Sequence, residues 1–349
     1  MNKTPVLLAF ASAVLFGLST PAGKVLLASV NPAVLAGLFY CGAGVGIAVL
    51  RRIQARRGLS ASEVALARHD LPWLAGAVFS GGVIGPLLLM VGLVQTQAAT
   101  ASLLLTFEGA ATAVLAWLLF REHYGARLMI GMACLVAGAA ILAWSGTPAL
   151  DGLLGPLAIV GACIAWAVDN NLTRKISLAD PLQIVEIKGL VAGPINVALG
   201  LWAGGTLPAL GTVFVAASVG FVCYGLSLVL FILAMRGLGT ARASAYFSTA
   251  PFVGALGGVF ALGDPITMQL VAAGLLMAVG AWMHLTERHE HEHLHEAIEH
   301  AHPHVHDEHH HHSHVSSDPA DEPHTHVHRH RPVTHTHPHT PDTHHGHRH

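Results

Sequence analysis

Apolar runs of about twenty residues, broken by short polar loops, fill the chain from residue 5 to residue 285. The runs cover 5–27, 32–50, 71–94, 98–120, 126–144, 153–171, 182–202, 210–235, 241–262 and 266–285. A bilayer core takes roughly 20 residues of helix. Lipid offers no partner for a free N–H or C=O, so each run must satisfy its own backbone as a helix. The pattern predicts an all-α integral membrane protein with ten transmembrane helices. After residue 285 it changes abruptly, and large apolar residues give way to histidine alternating with polar residues.

The loops set a direction. Arg51, Arg52, Arg56, Arg57 and Arg68 follow the second run, Arg121 and Arg127 the fourth, Arg174 and Lys175 the sixth, and Arg236 and Arg242 the eighth. Arg288 follows the tenth, while the intervening loops 28–31, 146–152, 203–209 and 263–265 hold no Lys or Arg. Positive charge stays on the cytoplasmic side. Both termini, including the histidine-rich segment, are therefore expected in the cytoplasm of a cell whose inner membrane holds the protein. The first run continues past the weak cleavage-like Ala11-Ser12-Ala13, so it reads as a span and not a removed leader.

The chain also repeats itself. Residues 99–144 lie on 241–286 at one constant offset, matching Ala99, Ala101, Ser102, Ala113, Leu128, Gly138 and Ala139 to identical residues and Glu122 to Asp264. Five spans per half is an odd number, so the second half enters the membrane upside down, the geometry of alternating-access carriers. The expected units are a first five-helix repeat (1–146), a second (147–285) and a disordered tail (286–349).

Composition removes several alternatives. Charged residues are 11% of the chain and mean hydropathy is +0.55, too few charges to cover a soluble body of this size. Net charge is −2 and no basic stripe with interleaved aromatics occurs, which argues against nucleic acid. Cys41, Cys134, Cys163 and Cys223 stand singly in apolar runs and read as small buried hydrophobes. No paired histidine boxes, Ser–Lys or Asp–Asp pair stands in the spans, so the chain does not read as an enzyme. No cofactor is required by the pattern.

The stretch Thr100-Ala101-Ser102…Ala116-Trp117-Leu118-Leu119-Phe120-Arg121-Glu122…Gly131…Gly138 resembles the EamA-type repeat of the drug/metabolite transporter superfamily. Thr240-Ala241…Pro251…Gly263-Asp264…Gly274…Gly280 is a second copy, and Asn31-Pro32 and Asp180-Pro181 match the start of the second helix in each repeat. The resemblance covers residues 1 to about 285. It implies two inverted five-helix repeats around a central cavity lined by helices one to four and six to nine. It also implies secondary transport, typically export, of small organic molecules. Family members usually carry a basic residue seven positions after that proline, where this chain has Phe39 in one copy and Lys188 in the other. They usually carry a proline near the middle of the fourth helix, where this chain reads Thr106-Phe107-Glu108-Gly109.

Charged residues within the spans are candidates for function. Glu108 falls mid-span, where an isolated charge costs at least ~2.5 kcal/mol, so it should face the bundle interior or water and suits a proton carrier. Its own helical face offers Leu104, Ala111, Thr112 and Leu115, so a partner must come from another helix. Lys188 is expected to pair with Asp169 or Glu108, with Glu186, Asn170, Asn171 and Trp166 nearby. Lys24 is expected to snorkel to the outer interface. Ser244, Tyr246, Ser248 and Thr249 precede Pro251, whose helix break falls opposite Glu108 in the repeat alignment. For each group a structural role, as an ion pair or a weakly polar packing face, stands beside the functional one.

Twenty-five of the 27 histidines lie from His284 onward. They recur in alternation: His289, His291 and His293; His302, His304 and His306; His324, His326, His328 and His330; His335, His337 and His339. Extended chain puts alternate residues on one side, and neutral imidazole suits zinc, nickel, cobalt and copper. Residues 287–299 are expected to prolong the last span as a short helix.

Three readings follow. One is proton-coupled export of a small organic solute with Glu108 as coupling site; a second is divalent transition-metal efflux with the tail collecting or sensing ions. The third is a metal-sensing membrane protein without transport. The expected partners are a small-molecule substrate, the lipid bilayer and metal ions on the tail; a homodimer stays open.

Overall fold

A computed structural model describes residues 4–57, 65–120, 126–144, 152–176, 179–238, 243 and 246–286, and in the tail 289–295, 299–304, 324–329 and 333–339. The body is helical throughout: α1 (Thr4–Leu26), α2 (Pro32–Arg56), α3 (Arg68–Gln95), α4 (Ala98–Leu104), α5 (Phe107–Phe120), α6 (Ala126–Ala143), α7 (Leu154–Arg174), α8 (Pro181–Trp202), α9 (Leu210–Ala234), α10 (Ala250–Leu262) and α11 (Met268–Leu285). Asn31 and Asp180 start α2 and α8 alike. Each is followed by proline, and each side chain accepts backbone N–H bonds of the first turn, from Ala33 at 3.0 Å and Leu182 at 2.9 Å.

Among the described residues, five helices, α1, α2, α3, α8 and α9, are long and apolar enough to cross a membrane. The expected ten spans exceed that number: the fifth, ninth and tenth runs give shorter apolar helices within the described residues, and two other runs depart for local reasons. The fourth run is broken at Leu105–Thr106 into α4 and α5, and Asp169, Asn170 and Asn171 dilute the apolar character of α7. Large apolar side chains face outward, among them Phe260, Phe214, Leu210 and Trp202, as a lipid-facing surface requires.

Helices of one half pack on helices of the other. Extensive pairings that join the halves include α2 with α8, α6 with α11, α3 with α7, α1 with α9 and α4 with α10. This set is unchanged when the halves are exchanged. Equivalent helices also run antiparallel: Gly37 lies against Val197 and Gly44 against Leu190, Ala99 against Gly258 and Ser102 against Gly254, Gly131 against Gly280 and Gly138 against Ala273. Antiparallel packing of equivalent helices is the inversion that the odd span count predicts. Small residues allow it. A Cβ on Gly44 would stand 2.5 Å from the Leu190 nitrogen, so α2 and α8 touch backbone to backbone.

Two departures from α-helix occupy equivalent places in the halves. Residues Val78–Ile84 of α3 and Gly220–Leu226 of α9 form π-helical turns. In α3 the cause is visible: Pro86 has no N–H to give, so the carbonyls of Gly81 and Gly82 lose a helical donor.

The described tail is extended. His289–His295 pairs antiparallel with Val333–His339, and Glu299–His304 with His324–Arg329. The helix expected over 287–299 is therefore replaced at 289–295 by a strand. The alternation of histidine with other residues has the period of a strand.

Candidate substrate site between the repeats

The break between α4 and α5 builds the site. Leu105 and Thr106 form a turn closed by Thr106 Oγ1, which donates to the Leu103 carbonyl at 2.7 Å. The Cys163 thiol of α7 reaches the Leu104 carbonyl at 3.7 Å. Polar side chains thus replace the proline that such helices usually carry at this point. Glu108 consequently lies in the first turn of α5 and not in the middle of a continuous helix. The Glu108 N–H bonds the Leu105 carbonyl across the break at 3.1 Å, and the N-terminal end of the helix dipole favours an anion.

The partner of Glu108 does come from another helix. Asn170 Nδ2 of α7 donates to Glu108 Oε1 at 2.8 Å and lies 3.3 Å from Thr112 Oγ1. Asn171 Nδ2 donates to the Thr112 carbonyl at 3.3 Å and the Ala167 carbonyl at 2.8 Å. Among the described residues no cation forms an ion pair with Glu108, and its side chain is half-buried and not sealed.

One turn away the charges are neutralised. Lys188 Nζ of α8 donates to Asp169 Oδ1 at 2.7 Å and Oδ2 at 2.6 Å, and Thr173 Oγ1 adds a bond to Oδ1 at 2.8 Å. Both members are buried. Gly81 of the π-helical turn admits this pair, since a Cβ there would overlap the Asp169 carboxylate. The carbonyls freed by Pro86 are taken by side chains: Tyr40 OH and Trp166 Nε1 donate to Gly81 O at 2.7 and 3.0 Å, and Asn196 Nδ2 to Gly82 O at 2.9 Å.

Aromatic rings line the space between the halves. Phe16 of α1 is their hub, with ring centroids 6.1 Å from Trp166, 5.6 Å from Tyr224 and 5.2 Å from Phe247. Tyr224 stands 5.5 Å from both Phe39 and Tyr40. The Tyr224 and Ser19 hydroxyls are buried beside each other between the halves. Thr249 Oγ1 donates to the Tyr246 carbonyl at 2.7 Å ahead of α10, as Thr106 does ahead of α5. The two breaks meet: a Cβ on Gly109 would lie 3.8 Å from Ser248 Oγ.

Of the residues singled out in the sequence, Glu108, Asn170 and Ser248 gather at this junction, and Asp169, Lys188 and Trp166 lie directly beside it. Tyr246 is half-buried and packs on Phe10 with centroids 5.0 Å apart. Glu186 does not join them. It pairs with Arg51, which also reaches Asp180 at 3.4 Å. Lys24 Nζ donates to the Leu93 and Thr96 carbonyls at 2.6 and 2.8 Å, capping the C-terminal end of α3. Ser244 and Glu122 lie outside the described residues, as do His306 and His330. Sequence reasoning missed Tyr40, Tyr224, Phe16 and Asn196; Pro86 after Gly81-Gly82 was the available signal for part of that set. Among the described residues, no three His, Cys, Asp or Glu gather to hold a metal ion.

Known proteins agree with this architecture. The EamA-like transporter family matches the chain twice, over residues 3–144 and 153–286. An uncharacterized transporter of Methanothermobacter thermautotrophicus is 26% identical over 285 residues, covering 77% of this chain and 82% of that protein. A solved structure, described only as a crystal structure of a protein, superposes with a TM-score of 0.61 at 18% identity, covering 81% of this chain and 96% of that one, a likeness of fold alone. With helical repeats in both matched regions and a polar site where they meet, the chain belongs to the EamA-like transporter family, multi-pass membrane proteins that are transporters and not enzymes.

Proposed function

We propose that this transporter couples export of a small organic solute to proton entry, with Glu108 as the coupling group, in an inner membrane with both termini cytoplasmic. One observation carries the reading: among the described residues no cation pairs with Glu108 at the repeat junction, while its neighbour Asp169 is matched by Lys188. A carboxylate in the first turn of a broken helix, at the meeting of inverted halves, stands where carriers place substrate and coupling-ion sites. Asn170 holds it without fixing its charge, because an amide donor tolerates either protonation state of its partner. The surrounding rings and the adjoining Tyr224 and Ser19 hydroxyls suit a solute with an apolar body and a polar end.

The test is flux in proteoliposomes under an imposed pH gradient, against a panel of amino acids and small amines. Wild type moves at least one solute in response to the gradient. Glu108→Gln, inserted in the membrane at wild-type level, loses the gradient-driven component. Undiminished gradient-driven flux in that variant overturns the assignment.

The second reading, divalent metal efflux, draws on the histidine alternation of the tail. Growth of a deletion strain on nickel, cobalt, zinc and copper salts separates the two. Unchanged tolerance and cell metal content remove metal as cargo.

A further inference from the structure

The end of the bundle away from Arg51 is closed by a seam between the repeats. Helix α10 of the second repeat lies there in close contact with α1 and α4 of the first. A Cβ on Gly254 would stand 2.5 Å from Ser102 Oγ and 2.7 Å from the Gly17 carbonyl oxygen. One on Gly257 would stand 2.9 Å from Pro21 Cγ, and one on Gly258 2.6 Å from the Ala99 nitrogen. The seam lies beyond the Glu108 site, toward the loops that follow α3 and α10.

Two charged side chains converge at its rim. Lys24 Nζ, near the tip of α1, donates to the Leu93, Val94 and Thr96 carbonyls at 2.6, 3.3 and 2.8 Å. Asp264, from the turn between α10 and α11, accepts the Ala99 N–H at 2.7 Å. Both hold the elbow that joins α3 to α4, one from each repeat, and Asp264 is near enough for its charge to act on Lys24. The second repeat has no lysine of this kind. At the offset that lays Asn31-Pro32 on Asp180-Pro181, Lys24 falls on Thr173, whose hydroxyl is spent on Asp169. Polar groups at the seam argue that it parts. Ser102 Oγ and Thr96 Oγ1 are buried and, among the described residues, have no hydrogen-bond partner. A hydroxyl sealed in this way is a cost to the closed state that water relieves when the helices separate.

We propose that the seam of α10 against α1 and α4 is the gate on the side away from Arg51, and that Lys24 and Asp264 are its latch. Parting the seam draws Asp264 off the Ala99 N–H and away from Lys24, so the pair sets how often this side opens. The latch serves any solute and any coupling ion; only the name of the side, outer or cytoplasmic, rests on the orientation proposed above.

The experiment uses the full-length protein carrying Ser102→Cys, in right-side-out and in inverted membrane vesicles, with a membrane-impermeant maleimide outside. Peptide mass spectrometry reads the labelling rate at position 102 apart from the four native cysteines. With Lys24 and Asp264 in place, labelling is slow in both preparations. Lys24→Met should raise it roughly tenfold in right-side-out vesicles alone, the worth of a bond to a charged group. Asp264→Ala should raise it about fivefold there, the worth of a cap. Lys24→Arg, which keeps a cationic donor, should raise it much less. A Pro21→Cys/Gly257→Cys pair tests the motion itself. A Cβ on Gly257 lies 3.6 Å from the Pro21 Cβ, within the ~3.5–4.5 Å that a disulfide spans. Once oxidised, this pair should hold the Lys24→Met protein at the slow rate, and reduction should release it. Unchanged labelling in both Lys24→Met and Asp264→Ala, whatever their melting temperatures, would make the two side chains helix caps alone and overturn the latch. Acceleration that survives the closed disulfide would overturn it too, since it would come from loosening elsewhere. Acceleration confined to inverted vesicles would keep the latch and reverse the orientation.

Discussion

Lys188 donates to both carboxylate oxygens of Asp169, at 2.7 and 2.6 Å, with both residues buried between α7 and α8. Removing one partner of such a pair strands a charge away from water, at a cost of about 3–5 kcal/mol, whereas removing both together can be nearly neutral. Lys188→Met alone should therefore sharply lower the melting temperature and yield of detergent-solubilised protein, and Asp169→Leu alone should do the same. The double variant should recover most of the loss. A double variant as unstable as the singles would mean that the two side chains do not act as a pair.

Asn170 is the direct hydrogen-bond donor to the Glu108 carboxylate, at 2.8 Å. A bond to a charged group contributes about 1.5–3 kcal/mol, of which 1.4 kcal/mol is tenfold in rate or affinity. Asn170→Leu should reduce gradient-driven flux roughly tenfold while leaving thermal stability within a few degrees. Asn170→Gln, which keeps the amide, should retain more of it. Flux in Asn170→Leu equal to wild type would show that the contact has no part in transport.

How much of this was legible in the sequence depended on whether the cause was local. Helix starts at Asn31-Pro32 and Asp180-Pro181 followed from capping chemistry within four residues, and the inversion followed from an odd span count. The Lys188–Asp169 pair was foreseen as one of two options, because two opposite charges at similar depth had to find each other. The partners of Lys24 could not be read in advance because they are backbone carbonyls of α3, which no side-chain pattern reveals. Glu186 was misplaced because its partner, Arg51, comes from the opposite half. The tyrosines Tyr40 and Tyr224 went unnoticed for a related reason. What makes Tyr40 polar in function is the pair of carbonyls that Pro86 frees on another helix.

Asp264 links the repeats at the end away from Arg51. Its Oδ2 accepts the Ala99 N–H at 2.7 Å, so the side chain that follows α10 caps the first turn of α4. Loss of a capping side chain costs about 1 kcal/mol. Asp264→Ala should lower thermal stability by that order, and Asp264→Asn, which keeps an acceptor oxygen, by clearly less. Equal losses in the two would indicate that charge, not the cap, is what matters.

The antiparallel contact of α2 with α8 leaves no room for a side chain where their glycines meet. A Cβ on Gly193 would stand 2.6 Å from the Cys41 nitrogen, and one on Gly37 2.5 Å from the Val197 nitrogen; both obstacles are backbone that cannot rotate away. Overpacking costs about 1–3 kcal/mol where neighbours can adjust, and more where they cannot. Gly193→Val should lower melting temperature and monodisperse yield and suppress flux, since the two helices join the halves that must move. Gly211→Ala, with nothing within 4 Å of the added carbon, is the control and should match wild type in all three. A Gly193→Val protein that folds and transports normally would mean that α2 and α8 separate freely, against the close contact that defines the junction.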